Sequence, residues 1–309
     1  MKKLGFLVVL TMLLQLVGPF SSANADIVTP LTFGTTVQDE ITTDNESDVY
    51  SFKLDKTSRV QLTLKSYVDG YVETSLLSSD EVTELSSEYL FSSPNSPDML
   101  NKLFDFEPGV YYFKVNHSSG KGKYELTVKS TEYINNDIEG NNSAIDAQVI
   151  KTDGTKQLGV VTKNDEADFY KINLDKPSRL FYTFKSYIDD AVTAKVYTSD
   201  EVTQIDNKTL YASSTSPNLW NDYVDLEPGV YYFKVERESI SKTGKYELTL
   251  KAAPYINNEQ EPNSGVDEAT LIQPNGLKYS GIISWNDNMD YYKFQVKKTS
   301  KIKFQLNRS

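Results

Sequence analysis

From residue 47 onward the chain alternates apolar and polar side chains in short runs. In the segment 49–54, Tyr50, Phe52 and Leu54 share one face, with Ser51 and Lys53 on the other. The next run sets Val60, Leu62 and Leu64 opposite Gln61 and Thr63, and Tyr111, Phe113 and Val115, then Tyr124, Leu126 and Val128, continue the set. A period of two with polar partners predicts antiparallel strands that each keep one wet face. Asp-Lys-Thr-Ser, Glu-Pro-Gly and Ser-Gly-Lys-Gly supply the turns between them. Helical periodicity is scarce outside the first 25 residues, and the stretch 144–150 predicts one short helical turn.

The pattern recurs as a whole. EPGVYYFKV stands at 107–115 and again, unchanged, at 227–235. Around it, 47–69 matches 167–189 and GKYELTVK at 122–129 matches GKYELTLK at 244–251. A period near 120 is that of a domain rather than a solenoid repeat. A third copy opens at 255–272, which matches 133–150, runs through 289–306 with Ile302, Phe304 and Leu306 in the inward places, and stops at Ser309. The predicted fold is all-β, with tandem antiparallel sandwiches of jelly-roll type and about eight strands per unit. The units are 26–131, 132–253 and a truncated 254–309. A half sandwich leaves open edges and an uncovered apolar face, so the third unit is expected to be poorly ordered or aggregation-prone alone.

Residues 1–25 read as a secretory signal peptide: Lys2 and Lys3, an apolar run from Leu4 to Val17, and small residues ending at Ala23, Asn24 and Ala25. The run is too short to span hydrocarbon, and no transmembrane segment is expected in the mature chain. Removing the leader leaves 30 basic against 43 acidic residues, a net charge of −13. That field opposes a nucleic-acid partner. The absence of cysteine excludes disulfides and thiolate metal sites, and export without disulfides suits a bacterial protein that is secreted or held at the cell wall.

Glu261, Pro262, Asn263, Ala269 and Ile272, followed by Asp287, Asp290 and Tyr292, form a pattern repeated by Glu139, Asn141, Ala147 and Ile150, then Asp165, Asp168 and Tyr170. This pattern resembles the bacterial pre-peptidase C-terminal domain, the family that includes the collagen-binding domains of clostridial collagenases. The resemblance implies a jelly-roll sandwich attached to secreted hydrolases and, in some members, calcium held between the N-terminal linker and a neighbouring acidic loop. Carried onto this chain, the calcium ligands are Asp137, Glu139, Asn141, Asp165 and Asp168 in the second unit, and Glu259, Glu261, Asn263, Asp287 and Asp290 in the third. Six to eight oxygens suit calcium, and backbone carbonyls and water would complete each set. The bland reading makes the same residues turn formers and caps. The first unit has no E-x-N linker and carries Asn45 where the second has Asp165, so no calcium is expected there.

Catalysis has little to work with. The single histidine, His117, lies in a turn where the second copy has Arg237, and neither a nucleophile elbow nor a phosphate loop is present. Outward aromatics favour binding: Tyr112 and its copy Tyr232, Phe181 on a wet face, and Tyr67 and Tyr187 in the loop after it. Such rings suit an extended extracellular protein or polysaccharide. A structural spacer or envelope component, with these rings packed against neighbouring modules, and a cryptic hydrolase are the alternative readings.

Overall fold

The structure, a computed structural model, describes residues 27–42, 47–163, 165–239, 243–256 and 259–307. The leader 1–25 and Asn45 lie outside the described residues. The first unit runs β1 (Val28–Pro30), β2 (Thr36–Ile41), β3 (Ser47–Leu54), β4 (Ser58–Ser66), β5 (Gly70–Leu77), β6 (Glu84–Ser92), β7 (Asp98–Phe106), β8 (Gly109–His117) and β9 (Gly122–Glu132). The second follows a 3-10 turn at Ala144–Asp146 with β10 (Gln148–Val149), β11 (Asp153–Val161), β12 (Ala167–Leu174), β13 (Ser178–Ser186), β14 (Asp190–Thr198), β15 (Gln204–Ala212), β16 (Asn218–Leu226), β17 (Gly229–Arg237) and β18 (Gly244–Pro254). In the third only β19 (Thr270–Leu271) and β20 (Tyr292–Lys293) form among the described residues.

Each complete unit faces a five-stranded sheet against a four-stranded one. The orders are β1-β3-β8-β5-β6 with β2-β9-β4-β7, and β10-β12-β17-β14-β15 with β11-β18-β13-β16. All pairings are antiparallel except the first strand of each unit, which runs parallel to β3 or β12. That strand raises the count to nine per unit, and its two or three residues are too few for alternation to announce it.

The alternating positions form the cores. Tyr50, Phe52, Val60, Leu62, Leu64, Tyr111, Phe113, Tyr124 and Leu126 are buried in the first unit, and Tyr170, Ile172, Leu180, Tyr182, Phe184, Phe233 and Leu248 in the second. In the third, Phe304 and Leu306 are 67% and 98% exposed. The alternation there predicts inward-facing side chains, but the described residues contain no counterpart of the sheet that would cover them.

One close approach fixes the geometry near the linker. A Cβ added at Gly159 on β11 would come within 2.2 Å of the Tyr246 ring on the paired strand β18. Tyr246 is fully buried and hydrogen-bonded through its hydroxyl, so its ring cannot retreat. Gly159→Ala is therefore expected to destabilise the second sandwich by about 3 kcal/mol. Urea unfolding followed by the fluorescence of buried Trp220 measures this, and an unchanged midpoint would contradict the packing described.

Candidate metal centre at the module junctions

The inward rhythm that buries Tyr170, Ile172 and Leu174 on β12 also buries Asp168, which has no exposed surface. A carboxylate in an apolar slot needs partners. Tyr246 donates to its Oδ2 at 2.6 Å, and the Tyr170 hydroxyl lies 2.5 Å from that of Tyr246. Tyr170 in turn donates to Asp137 Oδ1 at 3.0 Å, as does Asn141 Nδ2 at 3.0 Å. The linker and the strand are thus tied together through two tyrosines.

Around this tie the remaining predicted ligands converge. Asp137, Glu139 and Asp168 each present an oxygen within 4.8 Å of the others. Asp165, on the loop before β12, is 2% exposed, and Arg237 of β17 holds that loop by donating from Nε to the Asp165 carbonyl at 2.9 Å. Arg237 is buried and structural, whereas its counterpart His117 sits half-exposed with Nε2 2.8 Å from the Gly120 carbonyl.

Asp137 Oδ2, Asn141 Oδ1, Asp165 Oδ2 and Asp168 Oδ1 are buried with no hydrogen-bond partner in the protein. Buried polar atoms are nearly always satisfied, and these four orphaned oxygens, contributed by the linker, a loop and a strand, belong to a carboxylate cluster that could hold a cation. Desolvation raises the pKa of Asp137, of Glu107 and, strongly, of Asp168. It takes Asp165 to about 7, helped by the charges of Glu107 and Asp137. Much of Glu139 is exposed, yet its carboxyl faces the cluster and is pushed up to about 9 by desolvation and by Glu107, Asp137 and Asp165.

The third unit repeats the arrangement. Glu259, Glu261 and Asp290 offer oxygens within 4.8 Å of one another. Glu259 Oε2 accepts from Tyr292 at 2.6 Å and Asn263 Nδ2 at 3.2 Å, while Asn263 Oδ1, Asp287 Oδ2 and Asp290 Oδ1 are buried without partners. Burial, with the charges of Glu259 and Asp287, takes Asp290 to about 7. At each junction three of the five predicted residues thus present oxygens close to one another. In the first unit, Tyr124 keeps Asp48, but Tyr50 donates to Asp39 of β2, in register where the second unit has Gly159, rather than to a linker acid as Tyr170 does to Asp137.

One acid escaped sequence reasoning. Glu107, in the turn between β7 and β8 of the first unit, brings its carboxyl to hydrogen-bonding range of Glu139 and leaves Oε1 buried and unpartnered. Its presence in both copies of EPGV was visible, but strand alternation says nothing about a turn residue meeting another module. An all-oxygen donor set of this size, without His or Cys, fits a hard cation.

The aromatic candidates fare unevenly. Phe181 is 42% exposed and pairs with Tyr223, itself 51% exposed, at 5.9 Å between rings. Tyr112 is half-buried. Tyr232, expected to face outward into solvent, is 7% exposed. It stands in register with Lys171 and Tyr197, where Tyr112 faces the smaller Ser51, and the longer neighbours cover the ring. Tyr67 and Tyr187 are half-buried; Lys65 lies over the first at 4.8 Å, and Lys185 and Lys245 lie over the second at 4.8 and 4.7 Å. Tyr223, Tyr89 and Phe91 are exposed rings that sequence reading passed over, although each lies at an outward strand position.

No family model matches the chain. Over 226 residues it is 24% identical to collagenase ColA of Clostridium perfringens (strain 13 / Type A), a match covering 70% of this chain and 20% of that protein. The chain thus spans about a fifth of this relative's length. Among solved structures, the pre-peptidase C-terminal domain of a Bacillus anthracis collagenase aligns with 20% identity and a TM-score of 0.30, over 34% of this chain and 97% of that one. A tandem carbohydrate-binding module pair from Paenibacillus barcinonensis Xyn10C aligns with 11% identity and a TM-score of 0.24, over 66% and 83%. The likeness to collagenase bears out the resemblance to the pre-peptidase C-terminal domain, and the tandem sandwiches fit it. Among the described residues no helix is long and apolar enough to cross a membrane.

The raised pKa values carry a sign. With no cation bound, these carboxyls are more stable protonated in the folded chain than in the unfolded one. Their contribution is complete below the ordinary carboxylate range, about pH 4, and is lost as pH climbs through about 7 for Asp165 and Asp290 and about 9 for Glu139. In chelator the melting temperature is expected to fall between pH 5 and pH 9, and excess calcium to restore it most at the alkaline end. Scanning calorimetry reads both trends; a chelated melting temperature that rises with pH contradicts them.

Proposed function

We propose that the chain is a secreted, non-catalytic binding or targeting protein, built of modules similar to the pre-peptidase C-terminal domain, stabilised by calcium at its linkers and recognising an extracellular polymer, protein or glycan. The calcium reading rests on the donor set: Asp137, Glu139, Asn141, Asp165 and Asp168 at one junction and Glu259, Glu261, Asn263, Asp287 and Asp290 at the next. These are too many carboxylates for the strict octahedron magnesium prefers, and they suit calcium's larger shell. Bound there, the cation supplies the positive charge these acids lack. The residues themselves orient the linker, through Tyr170 and Asn141 on Asp137, and hold the acidic loop, through Arg237 on the Asp165 carbonyl.

The observation that carries the binding reading is the stripe on the outer face of the four-stranded sheet. Phe181 and Tyr223 stand in register, and the Arg179 guanidinium, fixed by two bonds to Asp225 at 2.8 and 2.9 Å, lies 4.2 Å over the Tyr223 ring. Rigid aromatics braced by an arginine suit an extended chain laid across the strands. The spacer reading draws on the covering of Tyr232, Tyr67 and Tyr187, which leaves those rings little contact area.

Retention of the mature chain on immobilised collagen, bacterial cell wall and common polysaccharides separates the two readings. The binding reading predicts retention by at least one of these and, for the double variant Phe181→Ala with Tyr223→Ala, affinity lower by about tenfold or more with an unchanged circular dichroism spectrum. Retention by none of them favours the spacer.

A further inference from the structure

Glu107 belongs to the first sandwich, yet it is built into the linker site of the second. Thr57 donates to its Oε2 at 2.9 Å, and the carboxyl lies in hydrogen-bonding range of Thr162 and Glu139 and in the field of Asp137. The turn that carries it is already docked. Asp105, two residues earlier and 2% exposed, takes both bonds of Arg59 at 2.8 and 2.9 Å, the Tyr133 hydroxyl from the linker at 2.6 Å, and the Thr243 hydroxyl from the second sandwich at 2.8 Å. The Lys163 amide of the second sandwich donates to the Asp105 carbonyl at 3.2 Å.

The next junction repeats the arginine, tyrosine and main-chain ties, with Pro177 where the first has Thr57. Arg179 and Tyr255 hold Asp225, the Trp285 amide donates to the Asp225 carbonyl at 2.9 Å, and two residues on Glu227 leaves Oε1 buried and unpartnered in the field of Asp287 and Glu259. Both junctions thus place a turn glutamate, two residues after an arginine-held aspartate, in the field of the following module's acids. In each, an acid of one module lies in the field of an acid of the following one that keeps an orphaned, buried oxygen, Asp137 in the first case and Asp287 in the second.

We infer that Glu107 and Glu227 are cation ligands donated across the junctions, so that each cation fastens a module to the one before it. This rests on the calcium reading above. Coordination within one module would tie only linker to sandwich; a ligand from the preceding module makes loss of the cation loosen the joint between sandwiches.

The mature chain, which lacks cysteine, admits a direct test. Spin labels at Ser118→Cys and Lys208→Cys, both exposed and one in each complete sandwich, report the inter-module distance distribution, while calorimetry reports calcium affinity. Calcium is expected to narrow the wild-type distribution. Glu107→Gln is expected to lower affinity at this junction roughly tenfold or more and to leave the distribution broad in calcium. Glu107→Asp, which keeps the charge but withdraws the oxygen, is expected to do the same, so a folding defect of one variant does not decide the outcome. Asp168→Asn, a ligand change wholly within the second module, must also weaken binding. If Asp168→Asn weakens calcium binding while both Glu107 variants bind and stiffen like wild type, the cross-junction ligand is wrong and the calcium centre stands. If wild type takes up no calcium, both fall.

Discussion

Carboxylates buried beside one another cannot all remain ionised without a positive partner, and this constraint organises the junctions of the chain. Removing an ion from water costs several kcal/mol even after relaxation, and like charges at close range add to it. Asp168, Asp165 and Asp137 are desolvated by burial, and Arg237, whose charge acts on Asp165, spends its donors on main-chain carbonyls. Protons can neutralise the cluster at low pH and a divalent cation can do so at neutral pH. The orphaned oxygens show that hydrogen bonding within the protein does not.

The sandwiches act as rigid holders for this charge. Strand alternation delivers Asp168 to the interior at the end of a tyrosine-lined slot, and the Tyr170–Tyr246 contact joins two sheets of the sandwich directly beneath it. Gly159 gives the Tyr246 ring its room. The first unit keeps the tyrosine pair, with hydroxyls 2.5 Å apart, but closes it with Asp39 from its own sheet. The same scaffold therefore supports a self-contained hydrogen-bond cluster in one copy and an acid-rich cluster facing a linker in the others.

Much of this was legible in the sequence because period two reports directly on which side of a sheet a residue faces. Tyr50, Leu62, Tyr111 and Leu126, and the second copy's Tyr182 and Phe184, fall inward as their spacing says. The linker acids were legible through their repeated pattern. What the pattern could not report is contact between separate elements. Glu107 sits in a turn, and only the docking of Asp105 onto the second sandwich brings it to Glu139. Tyr232 alternates outward as expected, yet the length of Lys171 and Tyr197 decides that it is covered. Ile302, Phe304 and Leu306 alternate correctly with no opposing sheet among the described residues, so the rhythm exists without the burial it normally signals. The short parallel strands β1 and β10 leave no periodic trace.

Whether a cation occupies the junction decides how the buried acids are neutralised. Crystals of the mature chain grown with calcium, with anomalous differences collected at long wavelength, test this most directly. A calcium peak is expected, enclosed by Glu107, Asp137, Glu139, Asn141, Asp165 and Asp168. Density for water alone at that position, with calcium present in the crystal at millimolar concentration or above, the range weak extracellular sites require, would contradict it.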